Sequence, residues 1–111
     1  MSEAPYLTGP AVCLGSGAEA LALVSLSYEA DTAAFLLDSS ALPPAFFDLS
    51  SGVAGDVLQK LTNHGLQVAV VISPDTSWSQ AFRQFAAETK KGRTFALCDT
   101  EAEARSWLAR A

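Results

Sequence analysis

Ionisable chemistry is scarce in this chain. It carries one histidine, two cysteines and seven lysines and arginines in 111 residues. The lone His64 and the isolated Cys13 and Cys98 supply no ligand pair at metal-site spacing, so no metal and no cofactor is expected. Gly15-Ser16-Gly17 is too short to be a nucleotide-binding fingerprint. No apolar run approaches the roughly 20 residues of a membrane span. No basic segment precedes an apolar one at the N-terminus, so no signal peptide is expected. Cytoplasmic localisation follows as the expectation, with both cysteines reduced and buried in strands. Basic residues are fewest in the first part of the chain. Residues 1–82 hold eight acids against Lys60 alone, a balance of -7, and residues 83–111 hold six bases against four acids, a balance of +2. The net charge of -5 argues against nucleic acid or an anionic membrane as the main partner.

What the chain has in quantity is apolar residues, 50% of the total against 17% charged, which excludes a disordered chain. Its length suits one domain, 1–111, with a single core and a frayed lead-in or short edge strand over residues 1–10. A short strand is expected at Ala11–Leu14. Ser16 with Glu19 then forms a capping box for a helix to about Ala30, with Gly17, Leu21, Val24 and Tyr28 on one face. The unbroken apolar run Ala33–Leu37 reads as a central strand buried on both faces. Gln67–Ile72 is the strongest strand signal, and Thr94–Cys98 is another. Trp78, Ala81, Phe82 and Phe85 mark a third amphipathic helix. Thr100 with Glu103 caps a fourth, with Ala104, Trp107, Leu108 and Ala111 as its buried stripe. Strands alternating with helices imply an α/β fold: a mostly parallel sheet of four to five strands with about four helices. A small flavodoxin-like sheet is the structural runner-up.

The densest cluster of specific residue choices runs from Phe46 to Lys60. Pro43-Pro44 leads into it in extended or turned backbone. Asp48, Ser50 and Ser51 are three candidate cap oxygens for a helix whose apolar stripe is Val53, Val57, Leu58 and Leu61, and which ends at Gly65. Gly52 and Gly55 each weaken a helix by about 1 kcal/mol relative to alanine, which points to close approach of a strand, a loop or a partner. The amides of Ser51 to Val53, at the positive end of the helix dipole, form a candidate anion site, and a capping Asp48 or Ser50 is the simpler occupant of it. No catalytic constellation emerges. Asp48 and Asp56 lie across a loop-to-helix junction, His64 sits at a helix end, Trp78 reads as a core anchor, and Lys90, Lys91 and Arg93 read as a solvated turn.

The stretch Phe46-Phe47-Asp48-Leu49, with Gly52, Ala54-Gly55 and Leu58-Gln59-Lys60, resembles the signature of a bacterial family of domains of unknown function, family 4180, and the resemblance runs from about Ala11 to Leu108. Ser50-Ser51-Gly52 between a strand and a helix is also similar to the turn of STAS domains, the fold of anti-sigma-factor antagonists. That second resemblance implies a STAS-like fold, and a hydroxyl at Ser50 that takes a regulatory phosphate. The expected function is a non-enzymatic, cytoplasmic, STAS-like regulatory binding module. It would act through protein contacts at Phe46, Phe47, Asp48, Ser50, Ser51, Gly52, Gly55, Asp56, Gln59 and Lys60. The alternative is a small apolar-ligand, lipid-like binder with a pocket between the sheet and the signature helix; an uncharacterised enzyme is third. A homodimer is expected from the high apolar content and low charge.

Overall fold

The computed structural model describes residues 6–8, 13–72 and 79–110. A two-residue strand, β1 (Leu7–Thr8), precedes α1 (Gly17–Ala30), β2 (Ala34–Asp38), α2 (Val53–Asn63), β3 (Gln67–Val71), α3 (Gln80–Lys91), β4 (Phe95–Cys98) and α4 (Glu101–Arg110). The strands lie side by side in chain order and every pairing is parallel. Ala34 stands opposite Gln67, and Val68 opposite Phe95. The sheet is therefore smaller than expected, with three strands of full length and the short β1 at its margin. The expected strand at Ala11–Leu14 is also displaced. Strand pairing occurs earlier, with Leu7 opposite Phe35. Leu14 instead donates its amide to Ala41 O at 2.7 Å, off the ladder, while Ala11 and Val12 lie outside the described residues. Pro10, which has no amide to give a ladder, separates the two segments.

A parallel sheet wound steadily in one direction by right-handed crossovers carries its connecting helices on one face. Here α1, α2 and α3 pack with Phe35, Leu37, Val68, Val70, Phe95 and Leu97. α4 has no strand to return to among the described residues, and it covers the opposite face. There Ala34, Ala69 and Ala96 keep the sheet low enough for Ala104, Trp107 and Leu108 to pack close. Burial on both faces is why β2 to β4 read as continuous apolar runs rather than alternating ones.

β4 is the last strand of the sheet, and its outer edge is closed by side chains. Helices α3 and α4 lie on opposite faces, so any contact between them must pass around that edge. Trp107 Nε1 donates to Lys90 O at 3.0 Å, and the Lys90 ammonium pairs with the Glu103 carboxylate. A lysine and a helix laid over an end strand block the addition of a further strand. The Lys90 hydrogen bond, with a second from the Asp99 amide, holds the Glu103 carboxyl below its ordinary range.

Helix faces are where sequence periodicity and packing part. α1 buries Gly17, Ala20 and Leu23, while Leu21 and Tyr28, expected in its core stripe, are exposed. The helix is apolar on nearly every side, so the sequence pattern does not select a face and packing against α2 does. In α3, Phe82 and Ala86 are buried, Phe85 is half-buried and Ala81 is exposed; Trp78 lies outside the described residues. Ala104, Trp107 and Leu108 of α4 are buried as expected, and Ala111 is outside the described residues. Cys98 is buried in β4, and burial pushes its thiol up to about 11. Cys13, expected in a buried strand, is exposed and belongs to no strand.

α2 ends in a complete Schellman motif. Leu66 N donates to Leu61 O at 2.9 Å and Gly65 N to Thr62 O at 3.2 Å, with Gly65 at φ +66°. A side chain in that left-handed conformation is strained, although a Cβ there would meet no atom within 4 Å. Gly55, on the same helix, has equally open space but helical backbone. Gly65→Ala is therefore expected to destabilise by about 1–2 kcal/mol and Gly55→Ala to stabilise by about 0.4–1 kcal/mol. Urea midpoints of the two variants check the opposite signs.

Candidate functional site

The segment between β2 and α2 is built from three successive 3₁₀ turns, Ser39–Ala41, Pro44–Phe47 and Leu49–Ser51. Proline at the start of the second turn supplies a fixed φ and needs no donor there. The turn delivers Phe46 into the core with no solvent exposure. Its ring meets those of Phe95, Phe47 and Phe82, with centroids 5.5, 6.0 and 6.2 Å away. Phe47 is half-buried and stacks at 5.2 Å on Phe82.

The third turn is held by its own side chains. Asp48 Oδ1 accepts the Ser50 amide at 3.0 Å and the Ser50 hydroxyl at 2.6 Å. The single Ser51 hydroxyl hydrogen is shared between Ala45 O and Asp48 O, both 2.7 Å from Oγ, which also accepts from Val53 N at 3.2 Å. Asp48 is thus the cap of the short turn, and Gly52, at φ +79°, is the residue from which α2 begins. Neither Asp48 nor Ser50 caps α2, as had been expected. The expected anion site is also occupied from within: Ser51 N donates to Asp48 O, Gly52 N to Leu49 O and Val53 N to Ser51 Oγ. A glycine in left-handed backbone lets the 3₁₀ turn and the helix follow each other directly, which is why the hydroxyls act one turn earlier than the sequence indicates.

An anion does sit at a helix N-terminus, at α1 instead. Asp56, in the first turn of α2, accepts Gly17 N at 2.6 Å. Ser16 Oγ accepts Glu19 N at 3.1 Å on the same end. Together they satisfy two of the donors that a helix start leaves open, and the carboxylate faces the positive end of the α1 dipole. The close fit requires Gly17: a Cβ there would stand 2.5–2.7 Å from the Asp56 carboxylate. Gly17→Ala is therefore expected to cost about 1–3 kcal/mol as overpacking, and Asp56→Ala about 1 kcal/mol as a lost cap. In the Asp56→Ala background the glycine substitution should cost clearly less. Equal costs in both backgrounds, read from denaturation midpoints, would show that the two residues do not interact.

Among the other candidates, Asp48 and Asp56 are committed to different segments, one to its own turn and one to α1. Leu49, Ser50, Ser51, Gly52, Gly55 and Gln59 are exposed, and Lys60 is half-buried in the last turn of α2. No atom lies within 4 Å of a Cβ placed at Gly52 or Gly55, so no described strand or loop approaches either glycine. His64 is exposed at the end of α2, its amide on Lys60 O and Thr62 O. Among the described residues no group of three histidine, cysteine or acidic side chains is placed to hold a metal ion. No helix among them is long and apolar enough to cross a membrane. An open cleft of about 320 Å³ lies beside α3 and β4, lined by Arg83, Ala86, Ala87, Lys90, Leu97 and Asp99.

Gly17 is the site residue that sequence reasoning missed. Its capping box marks a helix start, but nothing local reveals that the carboxylate facing it comes from 39 residues away.

No curated protein and no solved structure matches the chain. Residues 7–108 match the family described as a domain of unknown function (DUF4180). That span runs from β1 into α4 and takes in both faces of the sheet, so the chain belongs to this family.

Proposed function

We propose that this protein is a non-enzymatic, STAS-like regulatory binding module that acts through protein contacts at residues 46–60. The observation that carries this reading is the outer surface of that segment. Leu49, Ser50, Gly52, Gly55 and Gln59 are exposed, and the backbone at both glycines is open to anything that approaches from outside. Beneath this ledge lies a rigid support, because Phe46 and the Asp48 and Ser51 hydrogen bonds fix the turn. A shallow, rigid ledge offers area to a macromolecule, whereas a small ligand needs a concave site that buries most of its surface. The strand, Ser50-Ser51-Gly52 turn and helix in succession support the STAS-like comparison. In this reading Ser50 is the switch position. A phosphate there adds about -1.5 to -2 charges beside Asp48 and weakens a contact made with neutral serine.

The test is affinity capture from the native source with wild type, Leu49→Arg, Gly55→Arg and Ser50→Asp, each first shown by thermal melting to be folded. A partner retained by wild type and lost by the first two variants supports the surface, and its loss with Ser50→Asp supports the switch. The same set of captured proteins with all four would overturn both.

A further inference from the structure

The outward face of α1 has no partner among the described residues. Ala18, Leu21, Ala22, Ser25 and Tyr28 recur at helical spacing and all are exposed, Tyr28 by 81% and Leu21 by 39%. One exposed leucine on a surface is ordinary, but two large apolar side chains aligned two turns apart form a stripe. The stripe bears no charge between Glu19 and Glu29, so a partner laid along it displaces water from few polar groups. Its C-terminal end carries acid only, Glu29 and Asp31, and α1 contains no lysine or arginine. Among residues 13–72 the only lysine or arginine is Lys60.

From this combination we infer that α1 presents a second docking surface, beyond the 46–60 ledge, for a basic amphipathic helix of a partner protein. The α1 helix, about 21 Å long at 1.5 Å per residue, accommodates three to four turns of such a helix. The apolar positions of the partner seat on Leu21 and Tyr28, and Ala18, Ala22 and Ser25 leave room for its backbone. Its lysines or arginines meet Glu29 and Asp31 at the C-terminal end of the stripe. A second copy of this chain fits less well, because it would bring the same acidic surface, with Lys60 as the only lysine or arginine among residues 13–72, against itself.

The probe is a 14-residue helical peptide with leucine at the two apolar heptad positions and lysine elsewhere, compared with the same peptide carrying glutamate in place of lysine. The lysine peptide is expected to bind wild type and to shift backbone amide resonances centred on residues 18–29. Leu21→Lys combined with Tyr28→Lys should weaken it more than tenfold, and Leu49→Arg, on the other surface, should leave it unchanged. These substitutions fall on exposed positions, and an unchanged thermal melt verifies the fold. Amide shifts on another face, equal binding of the glutamate peptide, or indifference to the α1 variant would each overturn the inference. So would light scattering that shows a wild-type dimer dissociated by Tyr28→Lys, since the occupant would then be a second copy. Failure of the 46–60 reading shows instead in the Leu49→Arg capture and leaves this result untouched.

Discussion

Phe46→Ala is expected to lower stability by about 3–5 kcal/mol, the range for deleting a buried phenyl ring. The whole ring is withdrawn from water, and its neighbours are themselves rings fixed on three different elements: Phe47 on its own turn, Phe82 on α3 and Phe95 on β4. Such a site collapses poorly, because no one element can move inward without breaking a second contact, so most of the cavity persists. In a domain of this size, where total stability is about 5–15 kcal/mol, the loss is a large fraction of the whole. It should also loosen the candidate site, since Phe46 is the anchor of the turn that precedes the Asp48–Ser51 turn. Thermal melting should show Tm lowered by more than about 10 °C. Phe47→Ala, at a half-buried ring, should fall well short of that. A loss below about 1.5 kcal/mol for Phe46→Ala would mean that the rings around it can close the space it leaves.

Much of the fold was legible because its signals are local. The apolar runs at 34–38, 67–71 and 95–98 have no alternation, and only strands covered on both faces are expected to lack it. Ser16 and Thr100 each accept the amide three residues on, as a cap oxygen at a helix start does. Gly65 terminates α2 by the one backbone conformation that favours glycine. β1 was legible only as one of two readings of residues 1–10, a frayed lead-in or a short edge strand, since two residues at a sheet margin carry no pattern of their own; Leu7–Thr8 forms the edge strand.

The site was legible in outline and misread in detail. Phe46 to Lys60 does form a turn that leads into a helix, but three hydroxyl and carboxylate residues within four positions offer several caps of similar strength. The choice among them depends on where the backbone turns left-handed. That is Gly52, so Asp48 satisfies the loop, while Ser51 bonds the loop carbonyls and also accepts the first amide of α2, from Val53. Asp56 was a candidate contact residue, and its carboxylate instead fixes α1, because α1 and α2 lie next to each other on the same face of the sheet. Tertiary adjacency of that kind has no trace in either segment taken alone.

The register of α2 is open to a direct measurement. The sequence places Val53, Val57, Leu58 and Leu61 on its buried stripe, whereas the structure buries Ala54, Val57 and Leu61 and leaves Val53 and Leu58 half-buried at the flank. The difference is a small rotation of the helix about its axis, set by alanine at 54. With so small a side chain in the buried stripe, α2 packs closely on its neighbour α1, and the larger Leu58 is turned toward the margin. Leu61 is fully withdrawn from solvent and packs over the Schellman turn against Leu66. Leu61→Ala is therefore expected to cost about 2–5 kcal/mol, while Leu58→Ala, which leaves a gap open to water rather than a sealed cavity, should cost about 1 kcal/mol. Denaturation midpoints of the two variants, compared at equal m-value, give the order directly. If Leu58→Ala proves the more damaging of the pair, α2 is rotated toward the stripe read from the sequence, and Gly55 and Gln59 no longer form the outer ledge on which the protein-binding reading depends.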